Sequence, residues 1–124
     1  MIKRYMTDRN IIHEVDEFQP GIWVALTAPT AEECSLVAET YEIDPADVRA
    51  ALDDEESSRV DVSNEYSLIL FDIPTIEYRH KREAYTTIPL GLILIDETLI
   101  TVCGEETPVL KAFTQNLVKE FSTK

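Results

Sequence analysis

Two short segments that mix apolar and polar residues at the start of the chain are predicted to be β-strands, and a wholly polar stretch separates them. The strands are Ile2 to Met6 and Ile11 to Val15, and the polar residues 7–10 between them favour a turn. A Pro-Gly pair at positions 20 and 21 indicates a second turn, after which Ile22 to Leu26 predicts a third strand. The start of the chain is therefore predicted to consist of strands joined by turns.

Two helices are predicted next, and each is opened by a polar residue that caps its first turn. Thr30 and Glu33 have the spacing of a capping box. The apolar residues that follow recur at the spacing of one helical face, namely Cys34, Val37, Ala38 and Tyr41. We therefore interpret Cys34 as a small core residue and not as a reactive thiol. Asp44 before Pro45 starts the second helix, which we expect to end near the acidic run at residues 53–56.

Four further segments predict strands. Arg59 to Val62 alternates between polar and apolar residues, which indicates a half-buried strand. Tyr66 to Ile73 is apolar at nearly every position, which predicts a central strand covered on both faces. Ala84 to Ile95 and Leu99 to Cys103 predict a hairpin, with Pro89 at an edge or a bulge because it cannot donate to a ladder.

The end of the chain predicts a last amphipathic helix that begins at Thr107 and Pro108. Its apolar positions are Leu110, Phe113, Leu117 and Phe121. No stop signal follows them, so we expect the natural chain to continue past Lys124. The order of elements predicts a single domain over residues 1–124, of α/β or α+β type. We favour an α/β fold with a mixed parallel and antiparallel sheet sandwiched by helices.

The charge balance restricts the partners that the chain can have. There are 24 acidic and 11 basic residues, which give a formal net charge of −13. Such a balance opposes binding to nucleic acid and to anionic lipid surfaces, but it permits divalent cations, which prefer oxygen ligands. Two cysteines without metal-site spacing indicate free thiols in a reducing compartment. No uncharged stretch reaches the roughly 20 residues that a membrane helix needs.

A search for catalytic chemistry finds no constellation that predicts an enzyme. His13 and His80 lack the spacing of a metal or catalytic pair, and the chain has no nucleophile elbow, phosphate loop or calcium loop. The basic run at residues 79–82 is interpreted as part of an exposed hairpin tip or loop over residues 77–83. No catalytic residue and no required cofactor are therefore predicted.

The acidic run that follows the second helix is the one candidate for ion chemistry. Asp53, Asp54 and Glu56 offer oxygen ligands of the type that Mg²⁺ prefers. Adjacent side chains at a helix end diverge, so one subunit would bind the ion weakly and two facing subunits would bind it better. An exposed helix terminus without a bound ion is the alternative interpretation of the same residues.

The order of short motifs along the chain resembles the cytosolic domain of CorA-like magnesium transporters. The likeness runs from about Trp23 to the end of the chain, and it rests on the order and spacing of the motifs. These are Trp23-Val24-Ala25-Leu26, Pro29-Thr30, Ile43-Asp44-Pro45, Ala51-Leu52, Glu55-Glu56-Ser57-Ser58-Arg59-Val60, Tyr66-Ser67-Leu68 and Leu99-Ile100-Thr101-Val102.

The resemblance implies a regulatory domain on the cytoplasmic side of the cell membrane, which couples the cytosolic cation level to gating. Its partners would be the stalk and membrane helices of the transporter, divalent cations, and the other subunits of a homo-oligomer, which is a pentamer in the full-length family. Mg²⁺, cobalt, nickel and zinc lie within the range of cations that the family carries. The resemblance implies no enzymatic activity and no nucleic-acid partner.

Three departures from the family pattern limit what the resemblance implies. The turn at Ser58-Arg59-Val60 lacks the family's proline. Arg49 and Ala50 stand where the family often has an acidic pair whose aspartate contributes to a cation-sensing site between subunits, so that site is not carried over. Both membrane helices and the Gly-Met-Asn pore motif are absent from this chain.

A second interpretation, from a different functional class, stays open at this point. The chain could be a stand-alone small-ligand-binding module or an enzyme on a similar sandwich. A stable monomer with a preformed apolar pocket and turnover of a substrate would favour that interpretation. A longer natural sequence with two apolar spans and the pore motif would favour the transporter.

Overall fold

In a computed structural model, seven strands of the described residues form one mixed β-sheet that carries two helices on one face. The structure describes residues 1–8, 11–18, 21–52, 58–63, 65–79, 82–95 and 97–105. The strands are β1 Ile2–Asp8, β2 Ile11–Val15, β3 Trp23–Thr27, β4 Arg59–Val62, β5 Ser67–Arg79, β6 Arg82–Ile95 and β7 Thr98–Cys103. The helices are α1 Ala31–Tyr41 and α2 Pro45–Arg49, and a 3₁₀ turn follows at Ala50–Leu52.

The strand order is β2-β1-β3-β7-β6-β5-β4, with one parallel pair in the middle. β3 runs parallel to β7, with Trp23 opposite Leu99 and Thr27 opposite Cys103. The other neighbours are antiparallel. A parallel pair requires a crossover connection, and here α1, α2 and the strands β4 to β6 lie between β3 and β7 along the chain. The predicted α/β fold with a mixed sheet is confirmed.

Both helix starts are confirmed. The Glu33 backbone N–H donates to Thr30 Oγ1 at 3.1 Å, and the Thr30 N–H donates to Glu33 Oε1 at 2.9 Å, which completes the capping box. Asp44 caps α2 by accepting the Ala46 N–H at 2.9 Å. Regular α-helix ends at Arg49, earlier than predicted, because the chain tightens into the 3₁₀ turn.

The main core lies between the two helices and one face of the sheet. Its buried residues are Ile22, Val24, Leu26, Cys34, Val37, Ala38, Ile43, Val48, Ala50, Ala51, Leu68, Leu70, Ile93, Ile100 and Val102. Cys34 is therefore a core residue, as predicted. The opposite face, which we call the second face, carries two smaller apolar clusters around Trp23 and around Leu90.

Two predictions about strand burial are wrong. All four residues of β4 are exposed, because β4 is the terminal strand of the sheet and its Val60 and Val62 project from the second face. β5 is not central but lies next to β4. Its Leu68 and Leu70 are buried under the helices, whereas Phe71 on the second face is only half-buried. The apolar run of β5 is continuous because both faces of this strand carry apolar side chains, although the face under the helices is more deeply buried than the second face.

The β5–β6 hairpin is longer than predicted. The strands continue to a pair between Arg79 and Arg82. Residues 77–79 and 82–83 therefore lie at the end of the hairpin, which confirms the hairpin alternative, and they belong to strands and not to a loop. Pro89 lies one residue before Leu90, where the pairing of β6 with β7 begins, so the predicted edge position is confirmed. The predicted helix after Thr107 lies outside the described residues.

Candidate functional site

The acidic run predicted to bind a cation lies outside the described residues, so the roles of Asp53, Asp54 and Glu56 remain a prediction. The structure does define the turn that leads into the run. Ala50 and Ala51 are buried in the main core. A Cβ placed on Gly91 of β6 would lie 3.2 Å from the Ala51 Cβ, so turn and strand are in close contact. The chain therefore enters the acidic run from a firmly packed position.

Arg49 and Ala50, where the resemblance would place an acidic pair, lie at the end of α2. Arg49 is exposed, and its Nε donates to the Pro45 carbonyl at 3.4 Å. Ala50 is buried and has no oxygen on its side chain. The side chains at this position are therefore the positively charged guanidinium of Arg49 and the methyl group of Ala50, whereas a divalent ion would need oxygen ligands.

Two carboxylates and a tyrosine meet at the start of α2. The Tyr66 hydroxyl donates to Asp47 Oδ2 and accepts the Asp44 backbone N–H at 3.3 Å. Asp44 in turn caps the helix through Ala46. Tyr66 immediately precedes β5, so this network ties the start of α2 to the strand beneath it. The contact between Tyr66 and Asp47 is not predicted from the sequence, because the two residues are 19 positions apart and no local pattern indicates that they are in contact.

The network changes the acidity of the tyrosine. Burial raises the pKa of Tyr66 above its ordinary value of 10.0, and the hydrogen bond to Asp47 and the charges of Asp47 and Asp44 raise it further. The folded chain therefore holds the phenol proton more tightly than the unfolded chain does. The stabilisation from this group is fully present below about pH 10 and is lost as the pH rises through the higher folded-state pKa.

Replacing Tyr66 by phenylalanine tests the network. We expect Tyr66→Phe to lower the free energy of unfolding by about 1–2 kcal/mol at neutral pH, because a hydrogen bond to a charged group is lost. Urea unfolding at pH 7 and pH 10.5 measures the loss, which should shrink at the higher pH. Tyr41→Phe is a matched control that removes a hydroxyl from another half-buried tyrosine of the described residues. A loss for Tyr66→Phe no larger than the control's would contradict the prediction.

A second carboxylate network lies at the start of α1. Glu33 Oε1 accepts a hydrogen bond from the Met1 ammonium at 2.7 Å in addition to the Thr30 N–H. The Met1 ammonium also donates to the Thr27 carbonyl at 2.8 Å. The hydrogen bond from the Met1 ammonium and, second, that from the Thr30 N–H lower the pKa of Glu33. The Glu33 carboxylate thus has a structural role, because its hydrogen bonds connect the start of β1 to the start of α1.

The remaining titratable groups of the described residues are not arranged as a metal site. No group of three His, Cys, Asp or Glu side chains is placed to hold a metal ion within the described ranges. Burial raises the pKa of both thiols, Cys34 and Cys103, which disfavours the reactive thiolate. His13 is exposed on β2, and His80 lies outside the described residues.

A shallow groove of about 390 Å³ runs along the outer face of α1. Its lining residues are Ala31, Glu32, Ser35, Leu36 and Glu39. The lining contains no histidine or cysteine, and its two glutamates point to no particular substrate. The groove therefore gives no support to the enzyme interpretation.

The two described helices are short, with 11 and 5 residues. Within the described part of the chain, no helix has both the length and the apolar character that crossing a lipid bilayer requires.

Solved structures of similar fold include two of CorA from one archaeon and one of the protein CmaX. The soluble domain of CorA from Methanocaldococcus jannaschii matches with a TM-score of 0.77 and 21% identity over 94% of this chain and 46% of that one. The complete CorA magnesium transporter of the same organism matches with a TM-score of 0.75 and 18% identity over 98% of this chain and 40% of that one. The full-length CmaX protein matches with a TM-score of 0.68 and 11% identity over 94% of this chain and 38% of that one.

These likenesses show the fold, and this chain spans less than half the length of each of the three proteins. No curated protein matches the chain by sequence. The model of the family described as CorA-like Mg²⁺ transporter protein matches residues 19–123. The match covers most of the chain, including both helices and the parallel strand pair. The chain therefore belongs to the CorA-like Mg²⁺ transporter protein family.

Proposed function

We propose that this chain is the regulatory domain of a CorA-like transporter of Mg²⁺ or another divalent cation, and that it couples the cytosolic cation level to gating. The observation that carries the proposal is the family match across residues 19–123. The fold shared with the soluble domain of an archaeal CorA supports it. The role is one of binding and mechanical coupling and not of catalysis.

The partners of the domain follow from the same proposal. Residues 1–124 act as a single cytosolic domain whose stalk and membrane helices belong to the rest of the transporter, on the cytoplasmic side of the membrane. Other copies of the subunit complete a homo-oligomer, which we propose is a pentamer. The 40% share of the complete M. jannaschii transporter that this chain covers is consistent with such a division.

The acidic run is the proposed cation contact of this domain. Asp53, Asp54 and Glu56 supply oxygen ligands, and the packed turn at Ala51 would transmit their displacement to the sheet. Because Arg49 and Ala50 lack the oxygen ligands of the usual sensor, the run would have to replace it. No cofactor is required.

Magnesium titration of the chain tests the cation contact. We expect Mg²⁺ to bind a monomer weakly, with a dissociation constant of about 1 mM or higher, because ligands from one subunit leave the ion mostly hydrated. Calorimetry measures the affinity. The variant D53N/D54N/E56Q should lose binding, whereas the matched control E14Q/E32Q/E39Q, with the same change in charge at exposed glutamates, should keep it. Micromolar binding to a monomer would contradict the expectation.

Gating is tested in the full-length transporter that contains this domain, reconstituted in vesicles with a magnesium indicator inside. We expect Mg²⁺ on the cytosolic side to reduce influx. We expect D53N/D54N/E56Q to need about 5- to 150-fold more Mg²⁺ for the same reduction, since a lost coupling of about 1–3 kcal/mol has that effect. The E14Q/E32Q/E39Q control should respond as the wild type does. Equal inhibition of all three proteins would refute the proposed regulation.

A further inference from the structure

Two buried side-chain polar atoms of the described residues lack a hydrogen-bond partner, and both belong to residues that contact the same phenylalanine. They are Arg4 Nε and the Tyr41 hydroxyl oxygen. The central carbon of the Arg4 guanidinium lies 4.9 Å from the centroid of the Phe18 ring. The Tyr41 ring meets the Phe18 ring edge-on, with centroids 5.8 Å apart. Because buried polar groups are nearly always hydrogen-bonded, two such atoms around one ring indicate a site with a specific use.

The three residues come from separate parts of the chain and meet on the face of the sheet that carries the helices. Ile2 and Met6, two positions to either side of Arg4 on β1, pack against the main core, so Arg4 projects from the same face. Tyr41 is the last residue of α1, and Phe18 lies on the segment after β2. All three side chains of the cluster are only half-buried, so the cluster reaches the surface.

Arg4 carries a positive charge that no described carboxylate neutralises. Within the described ranges, no Asp or Glu forms an ion pair with it. Arginine keeps its proton in proteins, so Arg4 cannot avoid the cost of partial burial by becoming neutral. The Phe18 ring offsets part of this cost, but it supplies no acceptor for the Nε–H. A water molecule would accept this hydrogen bond without balancing the charge, whereas an oxyanion does both.

The Tyr41 phenol provides a second donor at the same place. Burial raises the pKa of Tyr41 above its ordinary value of 10.0, and the Thr98 hydroxyl and the Arg4 charge oppose this effect only in part. The phenol therefore keeps its proton at neutral pH. Thr98 is itself buried, but no hydrogen bond of normal geometry joins the Tyr41 hydroxyl to it. The phenol proton is therefore available to an incoming acceptor.

We propose that Arg4 and Tyr41 bind a small monocarboxylate. One oxygen of the ligand accepts a hydrogen bond from the Arg4 Nε–H, and the other accepts one from the Tyr41 hydroxyl. Hydrogen bonds between a guanidinium and a carboxylate are charge-assisted and stronger than neutral ones. Both protein atoms lie beneath the surface, so the ligand reaches them when the Phe18 ring moves aside. The proposal rests on this cluster alone and does not depend on the transporter role.

The charge around the cluster favours a ligand with a single negative charge. Phe18, Tyr41 and Thr98 each have an exposed glutamate beside them in the chain, namely Glu17, Glu42 and Glu97. These carboxylates repel an anion, and the repulsion grows with the charge of the ligand. A monocarboxylate such as acetate is therefore expected to bind more tightly than sulfate, which carries two charges.

Nuclear magnetic resonance of the isotope-labelled chain tests the site through the Arg4 Nε–H signal, which Arg4→Lys identifies because lysine lacks this group. At mildly acidic pH, sodium acetate should shift the signal with half-saturation at about 1–10 mM, as one charge-assisted pair at a half-exposed site would give. Sodium chloride at equal ionic strength should give no saturable shift. Sodium sulfate should bind more weakly than acetate.

Two variants and a control separate binding from folding. Tyr41→Phe removes a hydroxyl that has no protein partner, so the fold should be kept while the dissociation constant for acetate rises at least about tenfold. In Arg4→Lys, acetate should no longer raise the urea midpoint of unfolding, as it does for the wild type. Arg49→Gln changes an exposed arginine whose Nε already donates to a carbonyl, and it should bind acetate as the wild type does. Equal shifts with acetate and chloride, unchanged affinity in Tyr41→Phe, or tighter binding of sulfate than of acetate would each overturn the proposal.

Discussion

Truncation of Trp23 to alanine is expected to destabilise the fold severely, by about 3–5 kcal/mol. Trp23 is 2% exposed and lies at the start of β3 in the parallel pair with β7. Its ring packs against Tyr5 with centroids 5.1 Å apart, and its Nε1 donates to Thr101 Oγ1 at 2.9 Å. The change would leave a cavity and an unpaired hydroxyl on the second face. Because domains of this size are stable by about 5–15 kcal/mol, such a loss removes a large part of the stability and should lower the unfolding temperature by about 10 °C or more.

Two smaller variants separate packing from hydrogen bonding at this position. Trp23→Phe keeps most of the ring and removes the donor, so it should cost about 1–3 kcal/mol. Thr101→Val leaves the indole N–H without that acceptor, and the double variant W23F/T101V should recover part of the combined loss, since no buried polar group is then left without its partner. Urea unfolding is followed by far-ultraviolet circular dichroism and not by tryptophan fluorescence, because Trp23 is the sole tryptophan and the variants at position 23 lack it. A cost below about 1 kcal/mol for Trp23→Ala would contradict the expected role of the indole in packing.

Local chemistry explains why the helix starts could be predicted from the sequence. Thr30 and Glu33 satisfy each other's backbone groups within one turn, and Asp44 caps the residue two positions later. Nothing elsewhere in the chain has to be known for these contacts to form. The strand pattern was predictable for the same reason, since alternation reports the face to which each side chain points.

The neighbours of each strand depend on distant parts of the chain, and there the predictions failed. The apolar run of β5 indicated a central strand, yet its position next to β4 is set by the order of pairing and not by composition. The bonds from Trp23 to Thr101 and from Tyr66 to Asp47 join residues 78 and 19 positions apart. The sequence near these residues contains no signal that predicts either bond, although threonine and aspartate are ordinary hydrogen-bond partners for a buried indole or phenol.

The exposure of β4 shows the same limit in a different way. Alternation in Arg59 to Val62 correctly predicted a strand, but it could not show that the valine side would remain uncovered. A terminal strand has one neighbour only, so its second-face side chains lack the contacts that bury Leu90 and Cys103 further along the sheet. Burial is therefore a property of position in the sheet, and the sequence pattern gives only the orientation.

Enlarging Gly91 should destabilise the domain at the point where the sheet meets the acidic run. A Cβ at Gly91 would lie 3.2 Å from the Ala51 Cβ, 3.5 Å from Leu70 Cδ2 and 3.8 Å from the Val102 Cβ, so the two further methyl groups of valine would be added at an already close contact. We expect Gly91→Val to lower the free energy of unfolding by about 1–3 kcal/mol through overpacking. Chemical unfolding measures this loss. Gly104→Val is the matched control, since a Cβ there meets no atom of the described residues within 4 Å.

A compensating change distinguishes close packing from a general effect of valine in the strand. Ala51→Gly removes the methyl group that Gly91 faces, so G91A/A51G transfers one methyl group across the contact. We expect this double variant to be more stable than the sum of its single changes by about 0.5 kcal/mol or more, because residues in direct contact are coupled. Additive single changes would show that the turn and β6 are energetically independent. The turn at Ala51 could then not transmit a displacement of Asp53 and Asp54 to the sheet, and the proposed coupling of cation binding to the domain would need another route.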